Sequence, residues 1–186
     1  MQTKKTDNSH LREKIELRKL AIESIENPKI LECYAGEGTL WQKVQEETGR
    51  TLDILRIEKE KYKCPLPHLV GDNLKYLNTL DLDKFDIIDL DTYGIPAKQI
   101  QVISESGFIG ILLITCCLTY KGTIPRFILN RLGYTKEMIK KIPTLFSING
   151  LQKFSKWLYY NRIKRIEGYF FYRKIYIIAK MEEQWE

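Results

Sequence analysis

The sequence has few of the residues that build metal centres and disulfide frameworks. Its four cysteines include no C-x-x-C pair, and its two histidines are His10 and His68. A zinc site is therefore not indicated, and we expect no metal in the functional site. Unpaired thiols are typical of a reducing compartment.

Long apolar segments are also missing. The polar N-terminus lacks the apolar core of a signal peptide, and the longest apolar run, Phe108 to Leu118, is too short to cross a bilayer. Together with the free thiols, this pattern predicts a cytoplasmic protein with no membrane partner.

The composition provides enough apolar residues for one core and an excess of positive charge. With 186 residues, of which 44% are hydrophobic, the chain favours a single domain spanning residues 1–186. A net charge of +6 and a pI near 9.0 favour an anionic partner, with nucleic acid first. A lysine-rich surface on an ordinary soluble protein gives the same charge, so composition leaves both interpretations open.

The most informative stretch is K-I-L-E-C-Y-A-G-E-G-T-L, from Lys29 to Leu40. It predicts a short buried strand, a tight turn bracketed by Gly36 and Gly38, and a helix over Thr39 to Thr48. A strand-turn-helix unit of this kind is typical of a nucleoside-cofactor site, because the glycines admit the ligand and the helix start offers free N–H groups. Dinucleotides are disfavoured, since Trp41 stands where their fold needs a third glycine.

The order of the remaining segments predicts an α/β fold with a mostly parallel, seven-stranded sheet and helices on both faces. Over residues 29–118, short apolar strands alternate with amphipathic helices and form the cofactor-binding and catalytic core. Over residues 164–181, two strands are separated by little more than a turn and must therefore be antiparallel. A closing hairpin is thus expected at the end of the sheet.

Two helical regions flank this core in the sequence. Residues 10–26 predict an amphipathic helix of the kind that covers a sheet edge or the cofactor crevice. We expect its basic face to be solvated, with contact to phosphate as the alternative. That face carries Arg12, Lys14, Arg18 and Lys19. Residues 119–163 form a helical insert between the fifth strand and the hairpin.

Acidic residues follow several predicted strands at the edge where open α/β sheets bind ligands. Glu58 ends the second strand 22 residues after Gly36, where a carboxylate can accept both ribose hydroxyls of a nucleoside, with Glu60 as a near competitor. Asp72 follows the third strand and is placed to cap the next helix. Asp91 ends the fourth strand.

Glu32 and the G-x-G turn without a third glycine resemble the first motif of class I S-adenosylmethionine-dependent methyltransferases. The resemblance implies a Rossmann-like fold and S-adenosyl-L-methionine as the cofactor. It also implies that the turn wraps the methionine part of the cofactor and that an acid-amide pair after the third strand contacts adenine. The expected cofactor-binding residues are Glu32, Tyr34, Gly36, Gly38, Glu58, Asp72 and Asn73.

A narrower resemblance lies further along the chain. The segment D-L-D-T-Y-G-I-P at Asp89 to Pro96, followed by V-I-S-E-S-G-F-I-G-I-L-L-I-T-C at Val102 to Cys116, is similar to motifs of the tRNA guanine-N2 dimethyltransferase family. This implies an RNA substrate, tRNA above all, and Asp91 as the catalytic aspartate. Asp91 would accept an N–H of the base amine, the Thr92 carbonyl would accept the second, and Tyr93 would stack on the base.

The chain departs from that family in two respects. Thr92 stands where the family has proline, and the sequence leaves no room for the family's additional C-terminal domain. We therefore leave the target amine open, together with a shorter RNA, a DNA substrate and delivery by a partner protein.

The insert over residues 119–163 is the expected substrate-binding surface. Basic residues interleaved with aromatic ones suit phosphate contact and base stacking, although the same aromatics could equally belong to the core. They are Arg126, Arg131, Lys136, Lys140, Lys141, Lys153 and Lys156, with Phe127, Tyr134, Phe154, Trp157, Tyr159 and Tyr160.

Other functions stay open beside RNA methylation. D-T-Y-G is a blurred form of the D-P-P-Y of DNA amino-methyltransferases, and a methyltransferase-fold module could bind nucleic acid or a partner without turnover. A small-molecule methyltransferase is disfavoured by the positive charge. A covalent cytosine route through Cys116 would also need D-x-P-C at the fourth motif, which is absent, so packing is the favoured role of that thiol.

Overall fold

A seven-stranded sheet forms the centre of the molecule. The computed structural model describes residues 10–117, 124–140, 148–171 and 174–182. The strands are β1 (Lys29–Cys33), β2 (Asp53–Glu58), β3 (Leu69–Val70), β4 (Ile87–Tyr93), β5 (Gly110–Cys117), β6 (Ile163–Phe171) and β7 (Lys174–Met181). Their order is β3-β2-β1-β4-β5-β7-β6, and β7 runs antiparallel to both neighbours. The predicted mostly parallel sheet with a closing antiparallel hairpin is confirmed.

Seven helices lie around this sheet in the described part of the chain. They are α1 (Leu11–Ile22), α2 (Thr39–Thr48), α3 (Asn73–Leu77), α4 (Ala97–Glu105), α5 (Arg126–Arg131), α6 (Lys136–Lys140) and α7 (Ile148–Tyr160), with a 3-10 turn at Leu82–Lys84. None of the helices in these ranges is both long and apolar enough to cross a membrane.

Two cores lie on opposite faces of the sheet because side chains alternate along each strand. Ile30 and Ile87 pack with Trp41 of α2 and with the apolar side of α1. Leu31 and Ile88 point the other way, into a larger core built with α4, α5 and α7. The two faces therefore have helical cover, as the sequence predicts.

Some boundaries differ from those expected. The N-terminal helix ends at Ile22 and not at residue 26. The third strand is short and contains only Leu69 and Val70. Pro65 and Pro67 precede β3, and a proline has no N–H to donate to a ladder, so a longer strand cannot form there. The predicted insert over 119–163 lies partly outside the described residues, as does Lys141.

Candidate functional site

The carboxyl ends of β1 and β4 form a crevice at the point where the strand order reverses. β2 and β3 lie on one side of β1, whereas β4 and β5 lie on the other. In the register, Cys33 at the end of β1 pairs with Leu90, but β4 continues to Tyr93 beside β5. Asp91, Thr92 and Tyr93 therefore extend past β1, and ligands of open α/β sheets bind at such an edge.

The glycine turn closes this crevice on the β1 side. Tyr34, Gly36 and Gly38 all have positive φ, at 64°, 58° and 72°. A Cβ at Gly38 would lie 2.9 Å from Leu66 Cδ1, so this glycine is needed for space as well as for its backbone conformation. The turn is thus compact and packed against the segment that follows β2.

Glu58 lies against the glycine turn, as its spacing from Gly36 predicts. The Gly36 N–H donates to Glu58 Oε2 at 2.8 Å, and the Glu60 N–H donates to Glu58 Oε1 at 3.2 Å. Glu58 itself is buried, whereas Glu60 is exposed. The structure therefore places Glu58, rather than its competitor, beside the turn.

Glu32 lies below the turn, on the sheet face that α1 and α2 cover. Its register partners are Arg56 on β2 and Asp89 on β4, and its Oε2 is 3.1 Å from Arg56 Nε. Burial, reinforced by the negative charge of Asp89, raises the pKa of Glu32 to about 8. Glu32 thus belongs to a buried row of carboxyl groups beneath the crevice, and it keeps its proton at neutral pH.

Asp72 and Asn73 take different positions at the end of β3. Asp72 caps α3, where its Oδ1 accepts from the Leu74 N–H at 2.7 Å. Asn73 is buried, and its Oδ1 has no hydrogen-bond partner among the described residues. An unsatisfied buried carbonyl oxygen is costly, so this atom is a candidate ligand acceptor.

Tyr34 reaches from the turn to the opposite side of the crevice. Its hydroxyl accepts a hydrogen bond from Gln99 Nε2 of α4 at 2.7 Å. Burial raises the pKa of this phenol, while the side chains of Thr92 and Asn73 beside it oppose the shift. Tyr34 therefore connects the glycine turn with the ends of β3 and β4.

Asp91 is held by a lysine from α1. Lys14 Nζ donates to Asp91 Oδ1 at 2.7 Å and to Oδ2 at 2.9 Å. Burial alone would raise the pKa of Asp91, but Lys14 and then Arg18 outweigh it, and the pKa is lowered. The side chain keeps 17% of its surface exposed, so Asp91 is an accessible anion at neutral pH.

Asp89, two residues earlier on the same strand face, is enclosed completely. Arg18 donates to its two oxygens, from Nε at 2.8 Å and from Nη2 at 3.0 Å. The Trp41 indole N–H donates to Asp89 Oδ2 at 2.8 Å. Trp41 therefore stands at the sequence position of the third glycine and connects α2 to β4 through its hydrogen bond to Asp89.

The expectation that the basic face of α1 is solvated is wrong for two of its four residues. Lys14 and Arg18 are buried, at 6% and 2% exposure, because α1 packs over β4 and its carboxylates. The sequence feature that could have predicted the burial of Lys14 and Arg18 was their spacing along the helix. Residues 14, 18, 21 and 22 share one helical stripe, and the last two are the buried apolar residues Ala21 and Ile22.

The three residues proposed for catalysis occupy both faces of β4. Asp91 and Tyr93 share a face by strand alternation, and Tyr93 is 66% exposed. Thr92 points to the other face, where it is buried and lies in register with Cys116 of β5. Its hydroxyl donates to the Tyr93 carbonyl at 3.3 Å. Cys116 is also fully buried, which suits packing.

The insert contributes a groove between α5, α6 and α7. It has a volume of about 250 Å³ and is lined by Leu132, Gly133, Tyr134, Met138, Lys153 and Lys156. Lys153 Nζ lies 4.8 Å from the centre of the Tyr134 ring. The predicted aromatic surface is thus divided, because Phe154 and Trp157 lie in the core whereas Tyr159 and Tyr160 are exposed.

Solved structures of methyltransferases have folds similar to that of this chain. A SAM dependent methyltransferase from Archaeoglobus fulgidus matches 93% of the chain with a TM-score of 0.53 at 12% identity, and the match covers 97% of that protein. The Rossmann-like methyltransferase fold is therefore established. A SAM-dependent O-methyltransferase from Thermotoga maritima matches 92% of the chain with a TM-score of 0.58 at 13% identity.

The small RNA methyltransferase HEN1 matches 99% of the chain with a TM-score of 0.56 at 12% identity. The chain spans 66% of the Thermotoga protein and 27% of HEN1. No protein-family profile matches the sequence, and no curated protein matches it either. At these identities the likeness concerns the fold, so the reaction must be argued from the site.

Proposed function

We propose that this protein is an S-adenosyl-L-methionine-dependent methyltransferase that acts on an exocyclic amine of a nucleic-acid base, with guanine N2 of RNA, tRNA first, as its target. The observation that carries the proposal is Asp91, an accessible carboxylate kept anionic at the end of β4 beside a glycine turn. The fold and the resemblance at Asp89 to Pro96 both support it.

The residues around the crevice fit the proposed cofactor. Glu58 offers a buried carboxylate beside the turn for ribose hydroxyls, and the Asn73 Oδ1 lacks a partner within the described residues and can accept from the adenine amine. At Gly36 the turn is open, because a Cβ there would meet only the Tyr34 carbonyl oxygen at 3.9 Å, whereas Gly38 lets the turn pack closely against Leu66. When bound there, the cofactor supplies an electrophilic methyl group on a sulfonium sulfur.

Asp91 is the residue that would handle the nucleophile. The lone pair of an exocyclic amine is delocalised into the base, so an anionic acceptor for one N–H both orients the nitrogen and favours attack. As the nitrogen gains the methyl group it becomes positively charged and must lose that proton. The carboxylate stabilises this charge and can accept the proton.

Thr92 and Tyr93 are proposed to hold the base. The exposed Tyr93 ring offers a stacking surface, and the Thr92 carbonyl is the candidate acceptor for the second N–H of the amine. A base in a duplex would have to be flipped out of its stack to reach them.

The α5–α7 groove is the proposed contact for the nucleic-acid backbone. Lys153 and Lys156 line it, and no carboxylate within the described residues forms an ion pair with either lysine. The rings of Tyr134 and Tyr160 lie beside Lys153 and Lys156 respectively and offer aromatic surface next to each cation. Such a combination suits a single-stranded segment, and a partner protein that delivers the substrate is compatible with it.

Transfer of labelled methyl groups to unmodified tRNA, total RNA and unmethylated DNA, followed by nucleoside analysis, tests the proposal. We expect label in N2-methylguanosine. Label in a DNA base would support the DNA amino-methyltransferase that the D-T-Y-G segment resembles.

A non-catalytic binding module is the second candidate, and one observation favours it. Both oxygens of Asp91 already accept from Lys14, as in a purely structural ion pair. Cofactor binding without transfer to any of the three nucleic acids would support this alternative.

A further inference from the structure

We propose that Lys14 is the positioning residue of Asp91: its ammonium group keeps this carboxylate ionised and oriented at the carboxyl edge while leaving room for a substrate amine. The inference rests on the proposed function and extends it to a residue on α1 that the sequence motifs do not include.

The need for Lys14 follows from two carboxylates on one strand face. Asp89 and Asp91 are two residues apart on β4 and both point towards α1. Two buried like charges cannot both ionise unless each has its own cation. Arg18 serves Asp89 with two hydrogen bonds, and its distance to Asp91 Oδ2 is 4.0 Å. The charge of Asp91 therefore depends chiefly on Lys14.

Each element packed around Asp91 places a polar or charged group near this carboxylate. Arg18 comes from α1 with Lys14, Glu32 and Asp89 come from the sheet below, and Thr115 on β5 lies in register with Asp91. On β7, the buried Tyr176 ring lies 5.6 Å from Lys14 Nζ. The ammonium is thus held between a carboxylate and an aromatic face, so its position is fixed.

The arrangement leaves capacity for a ligand. An ionised carboxylate has about four acceptor positions. Lys14 uses one on each oxygen, while part of the side chain remains exposed. An amine N–H can therefore bind to Asp91 without displacing Lys14. This resolves the apparent conflict between the ion pair and a catalytic role.

The experiment compares the pH profile of kcat/KM for the wild type, K14M, K14R and K19M. In K14M, the pH at which kcat/KM falls on the acidic side of the profile should rise by at least about one unit. At a given acidic pH, kcat/KM should therefore be about tenfold lower than in the wild type, and it should recover at higher pH. K14R should remain near the wild type. K19M is the matched control, because Lys19 pairs with Glu16 and Glu47 on the outer side of the same helix.

A titration of the Asp91 carboxyl carbon by ¹³C NMR in the free protein provides the readout that does not depend on activity. We expect the titration midpoint to rise in K14M and to stay in place in K19M. If K14M does not fold, K14Q makes the same comparison, since glutamine retains a donor without the charge.

An unchanged midpoint in K14M, or a loss of activity that is equal at all pH values, would overturn the role of Lys14. A midpoint that rises in K14M, combined with a wild type that methylates no nucleic acid, would support Lys14 as the group that ionises Asp91 and would count against the proposed reaction alone.

Discussion

The two faces of the sheet use the same strands for different purposes. On the α4 side, Leu31, Ile88 and Leu90 are fully buried among apolar side chains. On the α1 side, the alternate positions carry Glu32, Asp89 and Asp91. The apolar face gives stability in the ordinary way, whereas the other face encloses three carboxyl groups, of which Asp89 and Asp91 pair with Arg18 and Lys14. The charged groups kept on this face shape the crevice above them.

The largest expected effect comes from breaking the charge balance of the α1 face. Arg18→Met leaves Asp89 buried without its cation, and removing one partner of a buried pair costs about 3–5 kcal/mol. Chemical denaturation measures this change. Ile100→Ala on the apolar face should cost about 2–5 kcal/mol through a cavity, but without the pH dependence that the Arg18 variant should show. Equal pH dependence in the two variants would contradict the distinction between the faces.

Asp91→Asn separates catalysis from stability on the same face. The amide keeps the shape of the side chain but loses the charge, so transfer should fall by about 100-fold or more while cofactor affinity stays nearly unchanged. Methyl transfer and calorimetric cofactor binding measure the two quantities. Loss of cofactor binding in this variant would mean that Asp91 belongs to the cofactor site.

Glu58→Gln tests the part of the crevice that the sequence located by spacing. A hydrogen bond to a charged group contributes about 1.5–3 kcal/mol, so cofactor affinity should fall by roughly 10- to 100-fold. Calorimetry measures this loss, and Glu60→Gln is the matched control because that side chain is exposed two residues further on. Similar losses in both variants would count against the assignment of Glu58.

A gradual, pH-dependent effect is expected for Glu32, whose pKa is raised to about 8 from an ordinary value of 4.5. Between these pH values the folded protein binds a proton that the unfolded chain releases, so this group lowers the free energy of unfolding as the pH rises. The slope is at most about 1.4 kcal/mol per pH unit. Glu32→Gln should reduce this dependence of the free energy of unfolding on pH, as measured by chemical denaturation between pH 5 and about 8. Glu46→Gln on the surface of α2 is the control, and a slope unchanged in Glu32→Gln would contradict the prediction.

The sequence predicted the parts of the site that depend on local patterns. The glycine turn, Asp72 as a helix cap and the closing hairpin all follow from neighbouring residues, and Glu58 follows from the length of one strand-helix-strand unit. Lys14 pairs with a residue 77 positions away, and Arg18 with one 71 positions away. Charged residues on a helix usually face water. The stripe that Lys14 and Arg18 share with Ala21 and Ile22 was a local sign of their burial, but it could not identify their partners on β4.

The position of β7 determines when the surroundings of Asp91 are completed during synthesis. Lys174–Met181 lies between β5 and β6, and β6 pairs with no other strand in the described structure. On the ribosome, β1 to β5 can assemble first, but β6 must wait for the segment that follows it. Tyr176, which lies under Lys14, arrives in that same segment. A nascent chain would therefore complete the surroundings of Asp91 only after β7 has emerged, so an unfinished chain holds the motifs without the finished site.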